Sequence, residues 1–117
     1  MKISGSEMEL MRIIWGKGGE ITSSELTEKL GEVWKPTTIS TFLKRLSDKG
    51  VLNIRKEGKT GYYSAAITEE EYKTEQTKEF VDEIHSGSIG SLFAALCESK
   101  DLDKDKLTEL KQWFEEI

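Results

Sequence analysis

Residues 35–50 read KPTTISTFLKRLSDKG, and their pattern is the most informative in the chain. Pro36 suits the first turn of a helix, because its restricted φ and missing N–H cost little there. Apolar residues then recur at i, i+3, i+4 and i+7, which places them on one face of a helix. They are Ile39, Phe42, Leu43 and Leu46. Since Gly50 closes the pattern, the stretch predicts an amphipathic helix that ends near Lys49.

The opposite face of this predicted helix is short, hydroxylated and basic. Short hydroxyl side chains let a helix approach base edges, and arginine can pair with O6 and N7 of guanine. Four Thr or Ser residues within 37–41 are mediocre helix formers, so helix stability alone does not explain them; decoration of an exposed helix is the alternative. The face predicts direct DNA contact by Thr37, Thr38, Ser40, Thr41, Lys44 and Arg45.

Two shorter helices are predicted before residue 35. Ser6 and Glu9 have the S-x-x-E spacing of a capping box, which predicts the start of a first helix. Thr22 and Glu25 repeat that spacing and predict a second, short helix. Ile21, directly before it, is expected to add a short strand.

The segment after residue 50 predicts a β-hairpin. Alternating stretches begin at Val51 and Tyr62, and turn-forming residues at 57–61 separate them. The hairpin is expected to contact the DNA backbone or minor groove, and ordinary solvated charge on a sheet edge is the alternative. Its basic residues are Arg55, Lys56 and Lys59.

The remainder of the chain predicts three more helices. A capping box at Thr68 and Glu71 begins the first, and residues 86–88 break it. Three helices in roughly 50 residues cannot easily bury their apolar faces alone, so a partner subunit is expected. The residues predicted at that interface are Phe80, Ile84, Leu92, Phe93, Leu96, Leu110, Trp113 and Phe114.

These elements together predict a fold that is mainly α with a small β-hairpin, in the α+β class. A winged helix-turn-helix domain is expected over residues 1–67 and a three-helix dimerisation domain over residues 68–117. The order of helix, strand, two helices and hairpin is typical of a winged helix, and no internal repeat interrupts it.

The charge distribution agrees with this division. The 117 residues carry a net charge of −5, yet residues 1–66 hold 11 Lys or Arg and 8 Asp or Glu, while residues 67–117 hold 6 and 14. Residues 35–59 alone hold 7 basic and 2 acidic side chains. That local excess can meet phosphates, although a solvated surface is the alternative.

Several classes of protein are not supported by the sequence. No apolar run reaches the roughly 20 residues of a membrane helix, and no signal-peptide order is present, so we expect a cytoplasmic protein without membrane insertion. One Cys and one His are too few for a zinc site, so neither metal nor cofactor is expected. No catalytic motif or phosphate-binding glycine loop appears, so the chain is not expected to be an enzyme.

Over nearly its whole length the chain resembles the penicillinase-repressor family, which includes the penicillinase and methicillin-resistance repressors and a copper-responsive branch. Each short motif is weak alone, but together they are specific. They are Ile3-Ser4-Gly5-Ser6-Glu7, Met11 and Ile13-Ile14-Trp15; Thr38-Ile39, Thr41, Leu43, Arg45-Leu46 and Lys49-Gly50; and Tyr62-Tyr63-Ser64.

The resemblance implies a homodimer that binds inverted-repeat operator DNA, represses transcription and controls a resistance or stress operon. The resemblance also implies that Thr38, Thr41 and Arg45 bind DNA. The family often has a basic residue where this chain has Thr37 or Ser40, which leaves the operator sequence open.

The resemblance also implies how such a repressor is released. In the antibiotic-responsive branch a membrane-bound sensor protease cleaves an Asn-Phe bond, and the corresponding step here is Ala95-Leu96, which lacks the Asn. The cysteine-rich tail of the copper-responsive branch is missing, so the inducer stays open. Cys97 is either a redox switch near the dimer interface or a small apolar residue on a buried stripe. The alternative function is a winged-helix module for protein interaction without specific DNA binding.

Overall fold

Six helices and three short strands make up the computed structural model, which describes residues 2–100 and 102–116. Met1 and Ile117, the outer limits of the two predicted domains, lie outside the described residues, as does Asp101. The chain divides into two units, Met1–Gln76 and Thr77–Ile117. The predicted α+β class is confirmed. The elements are α1 (Gly5–Lys17), β1 (Ile21–Thr22), α2 (Ser23–Leu30), α3 (Pro36–Asp48), β2 (Leu52–Glu57), β3 (Thr60–Ala65), α4 (Glu69–His85), α5 (Ile89–Glu98) and α6 (Lys104–Glu116).

The start of α1 differs from the prediction by two residues. Ser4, and not Ser6, is the N-cap: its hydroxyl accepts from the Glu7 N–H at 3.2 Å, and Glu7 accepts from the Ser4 N–H at 3.1 Å. The sequence contains two overlapping S-x-x-E frames, and spacing alone does not separate them. The first frame is used because Glu7 is also buried and paired with Lys49.

The helix starts predicted at Thr22 and Thr68 are confirmed. Thr22 and Glu25 form a capping box at α2, and Thr68 and Glu71 form the same reciprocal bonds at α4. Asp103 accepts from the Lys106 N–H at 2.9 Å and so caps α6.

The three strands form one antiparallel sheet in the order β1-β3-β2. Glu57 pairs with Thr60, so the hairpin turn contains only Gly58 and Lys59, and the predicted five-residue turn was too long. Gly58 has φ +62°, a left-handed conformation that glycine adopts without a Cβ penalty. The strand predicted at Ile21 is confirmed as β1.

The core of the first unit lies between its three helices and the sheet. Trp15 packs on Tyr72 and donates from Nε1 to the Ile67 carbonyl at 3.0 Å, which ties α1 to the segment after β3. Trp34 meets Phe42 edge to face. The most deeply buried apolar residues are Leu10, Met11, Ile14, Ile21, Leu26, Ile39, Leu43 and Leu46.

Candidate nucleic-acid interface

The rotation of α3 is set by its buried apolar face. Ile39, Leu43 and Leu46 are each no more than 1% exposed, and Phe42 is half-buried against the same core. The opposite residues must therefore face outward. Five of the six predicted contact residues of α3 are exposed, namely Thr37, Ser40, Thr41, Lys44 and Arg45, and the sixth, Thr38, is half-buried at the margin.

The first turn of α3 is open to an anion. Lys35 is the N-cap but makes no side-chain cap hydrogen bond, and the turn contains no acidic residue. The N-terminal end of a helix carries a partial positive charge from its aligned peptide dipoles. This end of α3 therefore attracts a phosphate more than a side-chain-capped end would.

A groove of about 440 Å³ runs between the N-terminal ends of α2 and α3. Its lining is short and largely hydroxylated, which leaves room for a close approach. The lining residues are Ser23, Ser24, Thr27, Glu28, Pro36 and Ser40.

The hydroxyl of Thr41 already has a use within the helix. It donates to the Thr37 carbonyl at 3.0 Å. Since its proton is committed, the exposed Thr41 presents a methyl group and an acceptor oxygen. These suit contact with a thymine methyl or with a base amino group.

The basic residues of the hairpin do not share one surface. Side chains alternate along a strand, so the neighbours Arg55 and Lys56 project from opposite faces of β2. The register agrees, since Arg55 lies opposite Tyr62 and Lys56 opposite Gly61. Lys59 lies in the exposed turn. Of the three hairpin residues predicted to contact DNA, Arg55 therefore lies on the opposite face of the sheet from Lys56.

The guanidinium of Arg55 is also hydrogen-bonded to carboxylates of the protein itself. Its Nε and Nη2 donate to the two carboxylate oxygens of Glu20 at 2.8 and 3.0 Å, and Nη1 donates to Glu57 at 3.0 Å. Its guanidinium lies 4.4 Å from the centroid of the Tyr62 ring. The hydrogen bonds from Arg55 lower the pKa of Glu20. The role of Glu20 could not be predicted from the sequence, because only the register of the strands brings it beside Arg55.

A second basic residue of the 35–59 segment is turned inward. Lys49 Nζ donates to Glu7 Oε1 at 2.6 Å, and Glu7 is 2% exposed. Burial alone would raise the pKa of Glu7, but the hydrogen bonds from Lys49 and Ser4 outweigh it and the pKa is lowered. The second oxygen, Oε2, is buried without a described partner. Lys49 therefore joins the C-terminal end of α3 to α1 and is not a free charge for phosphate.

Five cations of the 35–59 segment stay unpaired. Within residues 2–100 and 102–116, none of the five has a carboxylate at ion-pair distance. They are Lys35, Lys44, Arg45, Lys56 and Lys59, and all are exposed.

The second unit exposes much of its apolar surface in a single chain. Among the predicted interface residues, Ile84 is 67% exposed and Trp113 is 58% exposed, with Phe80 and Phe114 also exposed. Leu92, Phe93, Leu96 and Leu110 are half-buried. Ile89 and Leu107 are exposed as well, and our prediction omitted both from the interface.

The predicted cleavage position and the candidate redox cysteine both lie on α5. Ala95 and Cys97 are exposed, and Leu96 between them is half-buried. Cys97 is therefore not buried within the described part of a single chain. No three His, Cys, Asp or Glu side chains in that part are grouped as a metal would require. Among the same residues, no helix is both long and apolar enough to span a bilayer.

Comparison with known sequences gives a match over almost the whole chain. A sequence model of the family described as Penicillinase repressor matches residues 3–116. The penicillinase repressor of Bacillus licheniformis is 34% identical over 117 residues, covering 98% of this chain and 91% of the relative. The methicillin resistance regulatory protein MecI of Staphylococcus aureus strain N315 is 32% identical over 111 residues, covering 94% and 90%.

Two solution structures are similar in fold and sequence. The DNA-binding domain of the repressor BlaI has a TM-score of 0.55 at 41% identity, covering 61% of this chain and 88% of that chain. The monomeric form of Bacillus licheniformis BlaI, solved in complex with the blaP half-operator, has a TM-score of 0.52 at 39% identity, covering 62% and 89%.

Proposed function

This chain belongs to the penicillinase repressor family, and we propose that it is a transcriptional repressor that binds operator DNA through α3 and the β2–β3 hairpin. The observation that carries the proposal is the outer face of α3. Its exposed Thr, Ser, Lys and Arg residues stand on a helix whose inner face is packed into the core. A rigid helix with short polar side chains is what the major groove accepts.

The contacts divide into two kinds by their chemistry. Thr37, Ser40, Thr41 and Arg45 are proposed to meet base edges, whereas Lys44 is proposed to meet phosphate, with Thr38 contributing from the margin of α3. On the hairpin, Lys56 and Lys59 are proposed to neutralise phosphates because both are exposed and unpaired. Arg55 is not assigned a phosphate, because Glu20 and Glu57 already bind it.

We propose that the operator is an inverted repeat bound by a homodimer. A two-fold symmetric dimer presents two copies of α3, and each copy meets one half-site. The complex of BlaI with a blaP half-operator supports one protomer per half-site. We assign residues 1–67 to DNA binding and residues 68–117 to dimerisation.

The exposed apolar residues of the second unit support the dimer. Leaving Ile84, Trp113 and Phe114 more than half exposed to water is unfavourable at about 25 cal/mol per Å² of apolar surface. A second copy that covers this surface recovers that free energy. The predicted interface set therefore stays the proposed dimer contact.

We also propose which kind of gene the repressor controls and how it is released from DNA. The family names point to a resistance or stress operon as the target. Release by a membrane-bound sensor protease, at Ala95-Leu96, is proposed with one structural condition. Both residues lie inside α5, so the helix must open locally before a protease can bind the bond in an extended form.

The direct test is fluorescence anisotropy with the duplex upstream of the chain's own gene and a scrambled duplex of equal length. We expect tighter binding to the first duplex, at two chains per site and with a strong salt dependence. Arg45→Ala should weaken specific binding by roughly 1–3 kcal/mol, and Lys44→Ala should weaken binding to both duplexes. Arg12→Ala is the control, because Arg12 is exposed on α1 and outside the proposed surface. No preference between the duplexes, or equal loss in Arg12→Ala, would contradict the proposal.

The dimer is tested separately by sedimentation equilibrium. Ile84→Ser and Trp113→Ser should each shift the wild-type dimer toward monomer. Val33→Ser is the matched control, because Val33 is an exposed apolar residue of the first unit, 63% accessible. A monomeric wild type at micromolar concentration, or equal dissociation in Val33→Ser, would overturn the proposed interface.

A further inference from the structure

The outer face of the sheet holds an arginine between two carboxylates. Thr22 and Arg55 both pair with Tyr62, one from each side of β3, so these three side chains share a face. Arg55 crosses the Tyr62 ring and reaches Glu20, two residues before Thr22. Glu57, next on the same face of β2, accepts the remaining donor. One guanidinium thus links β2 and β3 to the residue directly before β1.

The bonds to Glu20 occupy the edge of Arg55 that an anion would use. Nε and Nη2 form the paired donors that bind a carboxylate or a phosphate through two parallel hydrogen bonds. In the free chain this edge is filled by both oxygens of Glu20. Glu57 takes only Nη1, so removing Glu20 alone would free the edge. The group of Glu20, Arg55 and Glu57 has a net charge of −1 and repels phosphate as it stands.

We propose that Glu20 competes with DNA phosphate for Arg55 and so limits sequence-independent binding. The inference rests on the proposed DNA-binding function and adds a residue that opposes it. Each cation that neutralises a phosphate adds the same affinity for any duplex. Withholding one cation weakens binding to DNA of every sequence and leaves base recognition by α3 unchanged. The device keeps the repressor from being retained on non-operator DNA.

The test is a cycle of four proteins on a scrambled duplex: wild type, Glu20→Gln, Arg55→Ala and the double variant. The measured quantity is the slope of log K against log salt, from anisotropy titrations. Glu20→Gln should steepen the slope by about 0.9, the value for one added phosphate contact on duplex DNA. Arg55→Ala should keep the wild-type slope, since Arg55 is already withheld. The double variant should also keep it.

Three other patterns overturn the proposal. A flatter slope in Arg55→Ala means that Arg55 already binds phosphate in the wild-type complex. Glu20→Ala is a second variant that, unlike the glutamine variant, leaves no side-chain oxygen for Arg55. An unchanged slope in both Glu20 variants means that a freed Arg55 does not reach the DNA. A steeper slope that persists in the double variant means that Glu20 acts through its own charge.

Two controls separate this inference from general effects. Glu9→Gln removes an exposed carboxylate of α1 that has no arginine partner among the described residues, and it should keep the wild-type slope. Failure of the proposed repressor function would be seen as equal affinity for operator and scrambled duplex. The salt slopes of the four proteins can still be measured on the scrambled duplex in that case. If no duplex is bound, the four proteins are compared on a heparin column, a sulfated polyanion. Later elution of Glu20→Gln than of the wild type and double variant supports the proposal, and equal elution overturns it.

Discussion

Replacing Lys49 by Met should destabilise the first unit and leave the DNA-facing surface intact. Lys49 Nζ lies 2.6 Å from Glu7 Oε1, and the two side chains are 26% and 2% exposed. Met retains the length of the side chain but no charge. Glu7 would then keep only the Ser4 N–H as a donor, with its second oxygen already unpartnered. A buried carboxylate would thus lose its main partner.

The magnitude follows from that geometry. A hydrogen bond to a charged group contributes about 1.5–3 kcal/mol, and breaking a fully buried pair costs about 3–5 kcal/mol. Because Lys49 is partly exposed, we expect the lower range, about 2 kcal/mol at pH 7. A domain of 60–100 residues loses about 4–8 °C of Tm for each kcal/mol, so the expected drop is about 8–16 °C.

The reciprocal variant should cost less. Glu7→Gln retains an acceptor for the Ser4 N–H, and Lys49, freed from its partner, can reach water. We expect a loss of about 1 kcal/mol. The double variant should match Glu7→Gln, because the pair is absent in both. This asymmetry distinguishes a stranded buried charge from a general packing defect.

The pH dependence gives an independent check. The folded-state pKa of Glu7 is lowered, so its ionised form stabilises the fold above the ordinary carboxyl pKa, and this contribution is lost as pH falls through the folded value. In Lys49→Met the burial of Glu7 is no longer offset, so protonation relieves the defect. The difference in Tm between wild type and Lys49→Met should therefore shrink on acidification.

The assay is thermal unfolding by circular dichroism from about pH 3 to 8, together with the salt slope of DNA binding at pH 7. A Tm within about 2 °C of wild type, equivalent to under about 0.5 kcal/mol, would contradict this prediction. So would a difference that stays constant with pH. The salt slope should equal that of wild type, because Lys49 is engaged by Glu7; a flatter slope would mean that it contacts phosphate.

Two further predictions concern stability. Gly50→Ala should cost about 1 kcal/mol, because Gly50 has φ +78° and an L-residue is strained there, whereas Gly16→Ala in α1, with open space at its Cβ, should stabilise by about 0.5–1 kcal/mol. Urea unfolding measures both, and equal signs would contradict the assignment. Trp15→Phe should cost about 1 kcal/mol more than Trp34→Phe, because it leaves the Ile67 carbonyl without its donor, while the Trp34 ring N–H has no acceptor among the described residues. Equal losses in the same assay would show that the hydrogen bond adds nothing.

The helices and their buried faces were predictable from the sequence because both depend on local spacing. The i, i+3, i+4, i+7 pattern of residues 39–46 determined which side of α3 is buried, and the structure has the same side buried. Capping boxes at Thr22 and Thr68 located two helix starts. At α1 the same rule had two solutions, and the burial of Glu7 selected one.

The charges of the candidate interface were less predictable. Residues 35–59 contain seven basic side chains, and counting treats them alike. Lys49 is paired with Glu7, 42 positions earlier, and Arg55 is paired with Glu20, 35 positions earlier, so neither is free for phosphate. Distance along the sequence gives no information on such pairs. Counting therefore gave the right number of basic side chains, but not which of them are free at the surface.

The sequence alone was enough to predict helix periodicity, caps, the hairpin and the family resemblance, because these arise from neighbours within a turn or two. Which charges are free could be known only once distant segments were packed together. The register of β1, β3 and β2 brings Glu20 to Arg55, and the packing of α1 on α3 brings Glu7 to Lys49. Ion pairs depend on distance in space, which the packing of distant segments sets, whereas helix and turn patterns depend on distance along the chain.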